Sequence, residues 1–327
     1  MRHATRRGLL AAGAALLAKP ALAQANWPDR PVRLIVPFPP GGAADLVGRM
    51  LAAHFGTAFG RPFVVENRGG AGSSIGVDAL AKAAPDGATI GLINIAANAI
   101  LPAVRRQPLP YRPVDDFAPV ANLAVTPAIV LVNPQRLPQV RTIQDLVAAA
   151  RVRPEEINYG SSGVGSSLHL GMELFMQKAG IRMTHIPFNG GGPLLQALTA
   201  GTIDASLDVA ATTGQLIREG RIRALATTAP RRLPDYPDLP ALNETYPGAE
   251  LASWHGFAAP TGTPAPVIGR LAAEAARFLA LPETAERYRG LFLDLPEHAN
   301  PAEFTAFMQR ELESFRALAR EANIVVD

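Results

Sequence analysis

Short apolar runs alternate with stretches of helical periodicity along most of the chain, and nearly every run gives way to a turn rich in glycine. Residues 32–36 (VRLIV) read as the first strand. Prolines at 37, 39 and 40 and glycines at 41 and 42 break that run, after which Leu46, Val47, Met50 and Leu51 recur at helical spacing to about residue 59. A second strand at 63–66, a glycine turn at 67–72, a helix at 73–84 and a strand at 89–94 repeat the order. Strands alternating with helices predict a parallel sheet, hence the α/β class.

The pattern then changes and restarts. Residues 102–119 are proline-rich and read as surface loop, whereas 123–132 form a long extended apolar stretch able to cross between domains. A second alternation follows: helix 142–150, strand 157–159, a Gly/Ser loop at 160–167, helix 168–179, strand 183–186, a glycine turn at 190–192, helix 194–200, strand 203–209, helix 216–219 and strand 224–227. An extended apolar return at 251–258 precedes three amphipathic helices at 264–281, 283–291 and 301–323. Two lobes with a cleft between them are therefore expected, residues 27–124 plus 252–327 forming one and 125–251 the other.

The opening turn carries the first candidate chemistry. Backbone N–H groups at a helix start lack intrahelical partners and lie at the positive end of the helix dipole, so a strand-to-helix turn of glycines can hold an anion without a basic side chain. A plain strand-to-helix connection explains the same residues in isolation. Asp45, in the first turn of the helix, reads as a structural partner of the dipole and of loop N–H groups, because a carboxylate aimed at an anionic ligand would repel it.

Composition enters through the N-terminus. Residues 1–23 have a basic start (Arg2, Arg6, Arg7), a modest apolar run and an A-x-A site at 21–23, and so read as a cleaved leader; TRRGLL at 5–10 resembles a twin-arginine signal, with an ordinary secretory leader as the alternative. Loss of its four basic residues takes the formal charge from +3 to −1 and leaves 304 residues. No basic stripe then remains for nucleic acid or an anionic membrane, and no later run reaches spanning length. The absence of cysteine excludes disulfides, thiolate zinc sites and a cysteine nucleophile. A periplasmic location follows, without stable membrane insertion.

Several segments together resemble a known family over essentially the whole mature chain: PVRLIVPFPPGGAAD (31–45), VVENR (64–68), AKAAPDG (81–87), DFAPV (116–120), YGSSGVGSSLHL (159–170), RALA (223–226) and PTGTP (260–264). The chain resembles the periplasmic receptors of tripartite tricarboxylate transporters, the Bug receptors. The resemblance implies a periplasmic-binding-protein fold of the Venus-flytrap, type II-like kind, with a small carboxylated solute (organic acid, aromatic acid or acidic amino acid) held between the two Gly/Ser-rich loops. Carried over, Phe38, Pro40, Gly41, Gly42 and Ala43 belong to the first loop, with Asp45 structural beside it. Ser161, Ser162, Gly163, Gly165, Ser166, Ser167 and His169 belong to the second, and Asp208 matches an aspartate of the cleft. Asn94, Asn189 and Gly191 complete the expected ligand-binding set. The implied partner is a membrane permease of the tripartite class; no cofactor is implied and a monomer is expected.

The chain departs from the family at Val209, where asparagine is usual, at Asn189, where many members carry lysine, and in NIAAN at 94–98. The acid-gripping end of the cleft is thus expected to be retained and the specificity end to be its own. An orphan carboxylate-sensing receptor for signalling is the alternative within the class. A serine hydrolase is the alternative outside it, since GSSIG at 72–76 matches G-x-S-x-G around Ser74, but the strand ends near Glu66 and a turn intervenes where an elbow needs none. Neither loop fits a P-loop or dinucleotide fingerprint. His169, His185 and His255 show no i, i+4 pairing and no partner Glu, which argues against a metal; His169 reads as a hydrogen-bond donor in or behind the second loop.

Overall fold

The computed structural model describes residues 27–291, 293–296 and 300–326; the leader lies outside them. Nine strands form one continuous, strongly curved path with the order β2-β1-β3-β9-β4-β7-β5-β6 and β8 paired to β4. In chain order the strands are β1 (Val32–Val36), β2 (Phe63–Asn67), β3 (Thr89–Asn94), β4 (Phe117–Val132), β5 (Asn158–Ser161), β6 (Thr184–Pro187), β7 (Ala205–Val209), β8 (Arg223–Thr227) and β9 (Ala252–Pro260). β1 pairs in parallel with β2 and β3, and β5 in parallel with β6 and β7. These two parallel groups are joined through β4, whose residues up to Pro127 pair antiparallel with β9 and whose residues from Ala128 pair with β7 and β8.

The ten described α-helices are α1 (Ala43–Phe59), α2 (Ser74–Ala81), α3 (Leu101–Val104), α4 (Ile143–Val152), α5 (Ser167–Ala179), α6 (Gly191–Ala200), α7 (Ala210–Arg218), α8 (Ala265–Ala280), α9 (Pro282–Gly290) and α10 (Pro301–Glu321). In α1, Val47, Leu51 and Phe55 fall on one face and are fully buried, each burial stabilising by roughly 1.5–3 kcal/mol; Gly60, left-handed at φ 66, ends the helix. α1 and α8 cover one face of the first sheet, around Leu34, Leu92 and Phe257. α2 and α10 cover the other, around Ile35, Ile93 and Trp254. In the second sheet α4 and α5 pack on the Val130 face and α6 on the Ile129 face.

Three local expectations change, and one turn is new. Residues 102–119 are not all surface loop: Tyr111, Val114 and Phe117 are buried, and β4 already begins at Phe117. Pro119 is tolerated there because the register with β9 shifts just beyond it. Residues 96–100 form a π-helical turn. α6 starts on the glycines themselves, at Gly191 rather than Leu194. α7 starts at Ala210 rather than Leu216, since the polar AATTGQ carries little apolar periodicity; its consequence is that Asp208 precedes a helix N-terminus.

Candidate ligand site between the sheets

The C-terminal ends of the parallel strands gather the expected residues: β1 ends in the opening loop, β3 in Asn94, β5 in the second loop, β6 in the Asn189–Gly190 turn and β7 in Asp208. Ligands of open α/β sheets characteristically bind at this end of the strands.

In the opening loop, α1 starts on Gly42 with no side-chain cap. Ala43 and Ala44 N–H therefore lack intrahelical partners. A Cβ on Gly41 or Gly42 would meet no atom within 4 Å, so the turn is open where an anion would approach. Pro40 offers no N–H at all. Asp45 lies buried beneath the turn and accepts from Gly41 N–H (2.9 Å), Arg49 Nε (2.9 Å) and Asn67 Nδ2 (2.8 Å). Burial works to raise its pKa, but Arg49, the Gly41 N–H and Asn67 together hold it below the ordinary carboxylate value. Its carboxylate braces the loop from inside.

Asn94 ends β3 fully buried. Its Oδ1 accepts from Ser73 Oγ (3.0 Å) and Ala97 N–H (3.1 Å), while Nδ2 is buried with no partner. Leaving a buried donor unmade costs about 1–3 kcal/mol, so this amide favours an acceptor brought by a ligand or water. Asn98 faces inward to the Asn94 N–H and the Pro113 carbonyl, a structural role. Opposite Asn94 in register stands His255, its ring edge-on to Phe38 at 5.5 Å and its Nδ1 buried without a partner. Burial pushes His255 down to about 4, so it is neutral at pH 7. Reading His255 only as a metal candidate missed this placement; a lone histidine in an otherwise apolar strand was the available signal.

The second loop is built differently. Ser166 caps α5 by accepting the His169 N–H (3.2 Å), leaving Ser167 and Leu168 as the first-turn N–H groups without intrahelical partners. Ser161 is buried and turned beneath the loop: its Oγ accepts from Gly163 N–H (3.2 Å) and meets His185 Nε2 at 2.7 Å. His169 is buried behind the loop, where its Nδ1 accepts the Gly165 N–H (3.1 Å) and its Nε2 is the donor side, turned towards Glu173. The expectation that no Glu partners these histidines is corrected: Glu173, one turn along α5, lies 3.7 Å from His169 Nε2 and accepts from Tyr159. His169 and His185 stack at 3.8 Å. Burial first, then the neighbouring His169, pushes His185 down to about 4. Among the described residues no three His, Asp or Glu converge to hold a metal ion.

The remaining residues flank this loop. The Gly190 N–H donates to the Ser162 carbonyl (3.2 Å), tying the third glycine turn to the second loop, and Asn189 and Gly191 are exposed beside it. α6 begins there without a side-chain cap. Gly165 is left-handed (φ +75), and a Cβ on it would lie 3.1 Å from Val326 and 3.4 Å from Val104, so the loop sits against the first sheet's end of the molecule. Asp208 is buried; Val209 N–H (2.8 Å) and Thr212 Oγ1 (3.2 Å) both donate to its Oδ1, and burial raises its pKa. Ser74, the candidate nucleophile, donates its hydroxyl to the Ala71 carbonyl at the start of α2.

Two α/β halves, joined by the long β4 and by the return through β9, with helix N-termini from both halves at one end of the strands, define a two-lobed solute-binding protein. The model of the tripartite tricarboxylate transporter family receptor matches residues 47–324, and the chain belongs to that family. It is 32% identical to protein BugT of Bordetella pertussis over 297 residues, 90% of each chain. Among solved structures it is similar to the R. palustris protein Rpa4515 with adipate (33% identity, TM-score 0.74, 91% of this chain and 99% of that one). It is likewise similar to MatC from Rhodopseudomonas palustris with bound malate (30%, TM-score 0.70, 89% and 99%). The family is one of receptors and not of enzymes.

Proposed function

We propose that this receptor closes on a small carboxylated organic solute, one carboxylate lying on the N–H groups at the start of α1 and meeting the Ser167, Leu168 and Gly191 end of the other lobe. The observation that carries this reading is the uncapped start of α1, open at Gly41 and Gly42 and without Lys or Arg between residues 38 and 45. Adipate and malate, the molecules named with two similar structures, support a dicarboxylate among the organic acids, aromatic acids and acidic amino acids to be screened. Asn94 Nδ2 and His255 would serve the distal end, and Asp208 would repel a second carboxylate placed against it. We place the lobes at 27–124 plus 252–327 and 125–251; β4 changes partner between Pro127 and Ala128, three residues beyond that boundary.

Such a ligand stabilises the closed state by its differential affinity, and at a hundredfold excess over Kd it adds about 2.7 kcal/mol. A thermal-shift screen of carboxylates tests this; no shift with any acid would overturn it. Export to the periplasm by the twin-arginine route and delivery to a tripartite permease complete the reading. Replacing Arg6 and Arg7 by Lys should stop export, and normal periplasmic yield would discard that route.

A further inference from the structure

A second cavity, of ≈ 120 Å³, lies away from both glycine loops. Its walls come from both connections between the halves: Asn122 and Val125 on β4, Ala229 to Arg231 after β8, and Glu250, Leu251 and Trp254 where the chain enters β9. Phe307 and Glu311 of α10 and Asp294 close it. Neighbouring residues of a strand point to opposite faces. Trp254 accordingly packs towards α10, while His255 beside it faces Phe38. The cavity is thus on the far side of the sheet from the opening loop.

Its chemistry is not that of a carboxylate site. Glu250, Asp294 and Glu311 outnumber the single cation, Arg231, in the wall. Trp254 and Phe307 meet edge-to-face at 5.9 Å, an aromatic corner of the kind that attracts cations. Two polar groups of the wall are buried without partners: the Oδ1 of Asn122, a residue 1% exposed, and the Nε1 of Trp254, 0% exposed. The first needs a donor. The second lies near enough to Glu311 to lower its pKa, yet not in the geometry of a hydrogen bond.

We propose that this cavity is a binding site for a small organic ammonium ion with a short apolar body, its N–H groups donating to Asn122 Oδ1 and Glu311 and its charge resting against the Trp254 and Phe307 rings. Burial first, with Glu250 adding to it, pushes Glu311 up to about 7, while the Trp254 N–H and Arg310 oppose that rise. An ammonium ion favours the ionised carboxylate, so binding near pH 7 releases a proton, and the ionised oxygen becomes a stronger acceptor for the Trp254 N–H.

The chain has two tryptophans, so Trp27→Phe leaves Trp254 as the sole indole reporter. Titrating this variant with n-butylammonium chloride should give a saturable change in emission; n-butanol should bind at least about tenfold more weakly and sodium butyrate not at all. Calorimetry of the unaltered chain in buffers of different ionisation enthalpy should show proton release at pH 7, and Glu311→Gln should abolish the release and weaken binding at least about tenfold. The calorimetric arm stands if Trp27→Phe does not fold. Equal binding of butanol, binding of butyrate, affinity unchanged by Glu311→Gln, or no saturable binding of butylammonium would each overturn the proposal. None of these outcomes depends on whether a carboxylate occupies the cleft.

Discussion

The opening loop and the second loop are both glycine-rich strand-to-helix turns, yet they are held by opposite chemistry. Beneath the first, an ionised carboxylate, Asp45, takes the Gly41 N–H and is itself held by Arg49 and Asn67. Beneath the second, a hydroxyl and an imidazole do the work: Ser161 takes the Gly163 N–H and His169 takes the Gly165 N–H, with His185 stacked on His169. The first loop leaves its helix uncapped and its glycines in open space, whereas the second spends several N–H groups on its own side chains and presses Gly165 against Val104 and Val326. Similar glycine content therefore marks an open anion cradle in one case and a tightly braced turn in the other.

That contrast breaks most sharply at the glycines. Gly42→Val should weaken binding of every carboxylate by about 10–100-fold, the worth of a charge-assisted hydrogen bond, by blocking approach. It should cost under about 1 kcal/mol of stability, because Gly42 has φ −81 and nothing within 4 Å of a Cβ. Isothermal titration beside thermal melting separates the two effects; unaltered affinity would reduce the loop to a connection.

Acid should distinguish the braces. His185 has a folded pKa of about 4, below its ordinary 6.5, so the stability it contributes is present above 6.5 and is lost as pH falls from 6.5 towards 4. His255, also near 4, adds to the same window. Asp45, held below its ordinary 3.8, keeps its contribution until pH falls below that value. Melting between pH 7 and 4 should show a loss on the order of 2 kcal/mol from His185, allowing for its partial exposure, and His185→Gln should flatten the curve by about that amount. An unchanged slope would break the assignment.

Gly165→Ala should lower stability by about 1–2 kcal/mol through the left-handed backbone it must adopt, with Val326 3.1 Å from the new methyl. Its effect on carboxylate affinity should be smaller than that of Gly42→Val, and the reverse order would exchange the roles assigned to the two loops. The smallest effect is expected at Asp208. Asp208→Asn keeps a side-chain oxygen for the Val209 N–H and removes a buried charge, so a change of a few fold in the ranking of dicarboxylates over amino acids is expected. A loss of thermal stability with the ranking unchanged would make Asp208 a structural residue that orders the start of α7.

Local pattern made much of the frame legible. The strand-turn-helix repeats at residues 32–59 and 157–179 were readable because an apolar run, a glycine turn and a helical stripe are each set by neighbours in sequence. The start of α7 was not, since AATTGQ is helical only by virtue of what surrounds it. The roles of individual loop residues were similarly hidden: Ser161 and His169 stand in a Gly/Ser motif that suggests ligand contact, and the fold turns both inward to bind the loop's own N–H groups.

By itself, then, the sequence determined the α/β class, the two series of strands and helices and the position of both glycine turns, because these depend on periodicity and on the backbone freedom of glycine over a few residues. Only the tertiary structure decided which N–H groups stay free and which are consumed, that His255 faces Phe38 and Asn94, and that Trp254, Glu311 and Asn122 share a cavity. Those outcomes rest on pairings between residues as far apart as 94 and 255 or 122 and 311, and the spacing of such residues along the chain carries no trace of the register and packing that bring them together.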